Sequence, residues 1–432
     1  MLRRIRNATI LLFTGVLIGT LLLTLAFCLP VDRIRENVED SLYHMLEVQR
    51  DEDGDQARKE WLSLKENFTE CLMIQNALEH VEGKNPFEHA MYIYHYDLSD
   101  GTTWATEESL SVSLRQGTEG MFLREYSKYW HGYLVFLKPL LMLMSWSQLE
   151  GFWMVLMLGL TGITVLVAVR KKEPLLGIGL ILAFLYMKPV RIIISVDLSI
   201  CWLIAMGAIL VLLSFYKQLK DRDWLEGMFI IVGIFTSYMD FLTYPVVTLV
   251  LPLTVLLILN ASEHLQWKKC LVQWFWICVS WAGGYIGMWG MKWVVAELTL
   301  RTGTLRNAVW SVITRTEPLD GRQSFLSGIE RTLRLILGQY DQVWYGIGFL
   351  LIILFILITL VILVIKKQLQ QHLPLLVCML ATTMIPLGWL VLTQNHSAIH
   401  CWFTFRVLGA SVFGLWCMGI IATKNRNMIK NT

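Results

Sequence analysis

Lysine and arginine recur at alternate ends of the apolar segments in this chain, and that alternation constrains its fold more than any other feature. The clusters are Arg3/Arg4/Arg6, Arg170/Lys171/Lys172, Lys217/Lys220/Arg222, Lys268/Lys269, Lys366/Lys367 and Lys424/Arg426/Lys430. Cytoplasmic loops of membrane proteins carry an excess of such residues. One topology satisfies all six clusters: both termini inside and about ten spans, near 9–29, 149–169, 174–189, 198–216, 226–238, 246–260, 271–294, 344–365, 373–392 and 403–422. The expected fold class is an all-α polytopic protein of the plasma membrane. Composition agrees, with 55% hydrophobic and 16% charged residues, where soluble chains average roughly 25% charged.

The spans divide the chain into an anchor over 1–30, an outer loop over 31–130, an interfacial stretch over 131–148, spans two to seven over 149–294, a second outer loop over 295–343, and the last three spans with their tail over 344–432. The first segment is too long for the apolar core of a signal peptide and is read as a retained anchor. The outer loop has helical periodicity at Val31, Ile34, Val38, Leu42, Met45 and Leu46. ARKEWLSLKENFTECLMIQNALEH reads as a second amphipathic helix, and Thr106-x-x-Ser109 as a helix start, so this region is expected to form a small, mostly helical cap. YSKYWHGYLVFLKPLLMLMSWSQ, aromatic and next to a span, predicts a helix along the outer membrane surface. The eight cysteines show no metal-like spacing, and no basic patch with interleaved aromatics points to nucleic acid.

Costly polar groups gather on the outer side of this topology, which marks a place where something is bound or transformed. Glu66 and Glu70 share one face of a helix and suit a general base; the alternative is a solvated acidic face. Arg124, Lys128, His131 and Lys138 lie among aromatics, either as a phosphate-binding rim or as ordinary interfacial anchors. SYMDFLTYP places Asp240 in a short turn between two spans, as a catalytic acid or as a cap; Asp197 sits in a similar turn. Lys292 precedes the second outer loop, whose Arg306 and Arg315 suit bidentate pairing with a phosphate, or salt bridges to the acidic cap. In NHSAIHCWFTFR, His396 and His400 are four residues apart, with Arg406 beyond. They suit hydrogen bonding to a phosphate or sugar, core packing, or ligation of a divalent cation, although no HExxH glutamate accompanies them.

One N-terminal span, a large first outer loop, many further spans and a polar outer face together resemble the GT-C superfamily of integral-membrane glycosyltransferases. YWHGYLVFLKPLL, SYMDFLTYP and NHSAIHCWFTFR resemble segments of bacterial members of this type. The resemblance implies inverting transfer of a sugar from a polyprenyl-phosphate carrier to an extracytoplasmic glycan or lipid acceptor. It also implies a first-loop carboxylate as base and basic groups around the donor phosphate. The base in that superfamily is an aspartate near the start of the first loop, where this chain has Asp32 and Asp40; Glu66 and Glu70 lie on the second helix instead. Two other classes stay open: a transporter or flippase for a lipid-linked glycan, which the absence of a sequence repeat disfavours, and a non-catalytic membrane assembly protein.

Overall fold

A computed structural model describes residues 2–47, 67–100, 105–261, 266–301, 303–317 and 324–423. Among these the chain is almost wholly α-helical, and six helical stretches are long and apolar enough to cross a membrane. They are α1 (Leu2–Ala26), α7 (Trp146–Arg170), α10 (Val196–Asp221), α16 (Val343–Ile365), α17 (Leu369–Leu392) and the stretch Cys401–Ile421, which comprises α19 (Cys401–Thr404) and most of α20 (Val407–Thr423). Three shorter apolar helices lie among them: α8 (Pro174–Tyr186), α11 (Leu225–Met239) and α12 (Val247–Asn260). The remaining expected span falls inside the 34-residue α13 (Trp267–Leu300). All ten apolar segments of the sequence are thus helical.

Position in the bundle sorts these helices. In α16 only 17% of the apolar window is buried, against 67% in α10. With its interior backbone groups bonded along the helix, α16 can present its leucines and isoleucines to hydrocarbon. The tightest crossing joins α11 and α13. A Cβ on Gly233 would stand 2.2 Å from the Trp281 carbonyl oxygen, and one on Gly284 2.2 Å from that of Ile230. Small residues let the two backbones touch, the ordinary route to helix association in lipid. α1 runs parallel to α11, with Arg4 bonded to Glu226 near one end (2.8 Å) and the Tyr238 hydroxyl donating to Gly19 O (2.7 Å) further along.

The cap departs in detail from its expected form. α2 (Val31–Glu47) follows the sequence periodicity and buries Ile34 and Val38. α3 (Asn67–Leu78) is not amphipathic: ten of its twelve residues are buried, because α2 and the helices over Thr106–Gln116 and Leu134–Leu141 cover it on several sides. The first half of the expected second helix lies outside the described residues. The turn at Asn85-Pro86 opens α4 (Pro86–Tyr92) with a full capping box, Asn85 accepting from Glu88 N while Glu88 accepts from Asn85 N. At α5 (Thr106–Gln116) the residue before the helix is Ala105, with no side-chain cap. The aromatic run MYIYHY divides between α4 and β1 (Tyr94–Asp97), which pairs antiparallel with β2 (Phe122–Glu125), Tyr94 opposite Glu125.

The stretch expected along the membrane surface instead forms the joint between cap and bundle. Its helix α6 covers only Leu134–Leu141, and Trp130, Tyr133, Leu134, Leu137 and Leu141 are fully buried. Gly132 makes the joint possible. Its N–H donates to Tyr238 O (2.8 Å), and a Cβ there would stand 2.3 Å from the Tyr238 ring. The joint therefore closes on the end of α11, opposite the end where Arg4 meets Glu226.

Candidate functional site

The turn linking α11 to α12, residues 240–246, is the meeting point of the polar side chains. Asp240 ends α11 and accepts from Thr243 N with both carboxylate oxygens (3.3 and 3.0 Å) and from the Thr243 hydroxyl. Leu242 stands in the left-handed region at φ 71°, an unfavourable place for a branched side chain. Its carbonyl meets His396 Nε2 at 2.9 Å, which ties the turn to α18 (Gln394–Ile399). The His400 ring follows, 4.7 Å from that of His396. Burial pushes the Asp240 carboxyl up to about 6 and His396 down to about 3.

Arg315 approaches the same place from α14 (Thr304–Thr316). Thr304, Ala308 and Ser311 are the buried residues of this helix, and Arg315 continues their face at helical spacing. Its guanidinium lies 5.7 Å from the Tyr129 ring and donates to Ser311 O (3.1 Å). It also acts electrostatically on both His396 and His400. Lys128 Nζ donates to Ser311 Oγ (2.8 Å), locking α14 to the joint.

Arg406 reaches the turn at Tyr244. It is fully buried, and only its Nη1 finds an acceptor, Trp402 O at 2.9 Å. Nε and Nη2 meet no hydrogen-bond partner among the described residues, and neither does the buried Tyr244 hydroxyl in the same turn. Tyr244 lies within electrostatic reach of both Asp240 and Arg406, so the turn bridges the two groups. Lys188, Arg191 and Asp197 complete the surroundings of Arg406. Lys188 precedes α9 (Pro189–Ile194) with φ 55°, and its ammonium sits 5.9 Å from the Tyr345 ring and 5.7 Å from that of Phe405.

The structure thus brings together Asp240, Arg315, His396, His400 and Arg406 and places the other expected site residues elsewhere. Glu70 is buried, and its Oε1 accepts from Val196 N (2.7 Å) at the start of α10. A carboxylate there satisfies one of the free N–H groups of a helix N-terminus and complements its dipole. Glu66 lies outside the described residues. Lys292 is fully buried and donates to Ala90 O and Met91 O (3.0 Å each). His131 is held between the Tyr133 hydroxyl and Tyr126 O, at 3.1 Å from each. Arg124 lies in the small sheet and donates to Ser99 O (2.6 Å). Arg306 sits on the exposed side of α14. Among the described residues no group of three or more His, Cys, Asp or Glu side chains gathers as a metal shell.

Sequence reasoning missed Lys188, Arg191 and Tyr244 at this site, and Glu79 at the cap. Glu79 is buried beside Arg35 and Lys138, and burial pushes its carboxyl up to about 7. A basic residue followed by proline, as in KPVR, was the one local signal of a helix break at Lys188. No protein-family model, curated protein or solved structure matches the chain.

Proposed function

We propose that this protein is an integral-membrane glycosyltransferase of the GT-C type. In this reading it has about ten spans in the plasma membrane, with both termini cytoplasmic. It takes a sugar from a polyprenyl-phosphate carrier and passes it, with inversion, to an extracytoplasmic glycan or lipid acceptor. The observation that carries the reading is the Arg406 guanidinium, fully buried with Nε and Nη2 unmet, one tyrosine away from a buried carboxylate. A buried cation with unmet donors is costly unless an anion completes it, and a phosphate oxygen pair fits the planar fork of a guanidinium.

The chemistry follows from this placement. An acceptor hydroxyl oxygen attacks the anomeric carbon of the donor sugar, and its proton passes to the Asp240 carboxylate. The bond from that carbon to the phosphate oxygen breaks, and its electron pair leaves with polyprenyl phosphate. Arg406, with Lys188 beside it, meets the growing phosphate charge. Asp240 takes the base role over Glu70 because Glu70 is engaged at the start of α10. A carboxyl near 6 is deprotonated at neutral pH and still basic enough to accept a proton. Arg315, His396 and His400 gather at Leu242 of the same turn, where the sugar or acceptor hydroxyls would bind.

The test uses the full chain reconstituted in vesicles with a panel of polyprenyl-phosphate sugars, following release of polyprenyl phosphate and labelling of an acceptor. Release that requires Arg406 and Asp240 supports the reading. Movement of intact donor across the bilayer without release favours the flippase. Neither activity with any donor, from folded protein, favours the assembly role.

A further inference from the structure

The end of the bundle remote from the cap holds a cavity that the proposed transfer reaction does not use. It has a volume of about 840 Å³ and lies between the start of α1, the α10–α11 turn and the start of α13. Five cations line it, Arg3, Arg4, Lys220, Arg222 and Lys269, against two carboxylates, Asp223 and Glu226. One of those carboxylates is already taken: Glu226 pairs with Arg4, whose guanidinium also covers the Trp276 ring at 5.0 Å. Arg3, Arg222 and Lys269 make no ion pair with any described residue. The floor is different in kind. Leu11, Ile230, Val272 and Ile277 also line it, and of these Ile230 and Ile277 are buried in the bundle. Loop lysines and arginines are ordinary at a cytoplasmic face and need only point into water. Here three separate elements aim them at one volume that continues as an apolar wall.

We propose that this cavity is a binding site for an anionic phospholipid, with the phosphate held by Arg3, Arg222 and Lys269 and an acyl chain along the Ile230–Ile277 wall. Cationic side chains at headgroup depth select phosphate charge, and the apolar floor selects a lipid over a free anion. α1 carries the anchor past the site, and α11 leads from it to the turn at Asp240. A bound lipid therefore joins the anchor to the helix that bears the candidate site.

The full chain, purified in detergent, is titrated with short-chain phosphatidylglycerol, short-chain phosphatidylcholine and inorganic phosphate, and binding is read by native mass spectrometry and by the melting curve. Phosphatidylglycerol is expected to bind and raise the melting temperature; the other two are expected to do neither at equal concentration. R222Q/K269Q should weaken phosphatidylglycerol binding about thirtyfold. Should that pair fail to fold, Lys269→Gln alone is expected to weaken it about fivefold. K366Q/K367Q, at the basic turn after α16 and outside the cavity, should leave it unchanged. The inference is overturned if inorganic phosphate binds as well as the lipid, if phosphatidylcholine does, or if K366Q/K367Q weakens binding as much as R222Q/K269Q. None of these readouts depends on sugar transfer, so a failed transfer assay and a failed lipid site remain distinguishable.

Discussion

Lys292 and Arg406 are both fully buried cations, and the difference between them separates two polar regions of the molecule. At the joint between cap and bundle, Lys292 donates to two backbone carbonyls of α4 and lies 5.4 Å from the Trp130 ring. Around the 240–246 turn, Arg406 has one acceptor, and two of its nitrogens are unmet. A cation whose donors are satisfied by its own chain holds structure together. One whose donors its own chain leaves unmet is costly to bury, and in the proposed function it serves to bind an anion. Substitutions at the joint should therefore move stability, and those at the turn should move transfer.

The largest effect is expected at Asp240. Asp240→Asn should lower transfer by about a hundredfold to ten-thousandfold, the range for loss of a general base. In the unsubstituted chain the rate should rise with pH up to about 6 and then level. Stability runs the other way. A carboxyl held above its ordinary 3.8 favours the folded state below about pH 4, and that contribution is lost as pH rises through about 6. Asp240→Asn should then melt higher than the parent at pH 8 and alike at pH 4; a lower melting temperature at pH 8 would make Asp240 a structural cap and merge it with the joint.

Next comes Arg406→Gln, expected to reduce transfer by about a hundredfold or more. Two charge-assisted hydrogen bonds are lost, at roughly 1.5–3 kcal/mol each. Its melting temperature should stay level or rise. A sharp fall in melting, with transfer kinetics intact in the folded fraction, breaks the contrast with Lys292. Lys292→Met is expected to cost roughly 3 kcal/mol, because Ala90 O and Met91 O are left buried without their donor. Thermal melting and limited proteolysis of the cap measure it, and donor dependence should be untouched.

Glu70→Gln is a smaller test of the joint, about 1 kcal/mol from weakened capping of α10. Unchanged melting with a collapse in transfer returns Glu70 to the role of base. The smallest contrast lies within α14. Arg315→Gln should raise the donor or acceptor KM about fivefold, in line with one ordinary hydrogen bond of about 1 kcal/mol, and Arg306→Gln should change nothing. The reverse result would show that the loop turns over to bring Arg306 inward.

The two regions were unequally legible. Asp240, His396 and Arg406 stood out because a charged or titratable group beside an apolar run is unusual in any membrane chain. Lys292 stands out for the same reason, but the sequence does not show that it bonds two carbonyls about two hundred residues earlier in the chain. Arg306 and Arg315 look alike in a list of loop arginines. Helical spacing from Thr304, Ala308 and Ser311 tells them apart, but only once those residues are known to face inward. Glu70 shared a helix face with Glu66 in the sequence, and neither the burial of α3 nor the α10 backbone it caps could be read there.

What the sequence by itself determined is which apolar stretches are helical and where the lysine and arginine clusters fall between them. Both depend on local quantities: the length of an apolar run, and the cost of placing lysine or arginine in hydrocarbon. Tertiary structure alone decided which buried charges are satisfied. Hydrogen-bond partners such as Lys292 with Ala90, Glu70 with Val196 and His396 with Leu242 are brought together across 126 to 202 residues of chain. No periodicity encodes a contact at that separation. The fold made Lys292 a staple and left two Arg406 nitrogens unmet because two backbone carbonyls reach the ammonium and only one reaches the guanidinium.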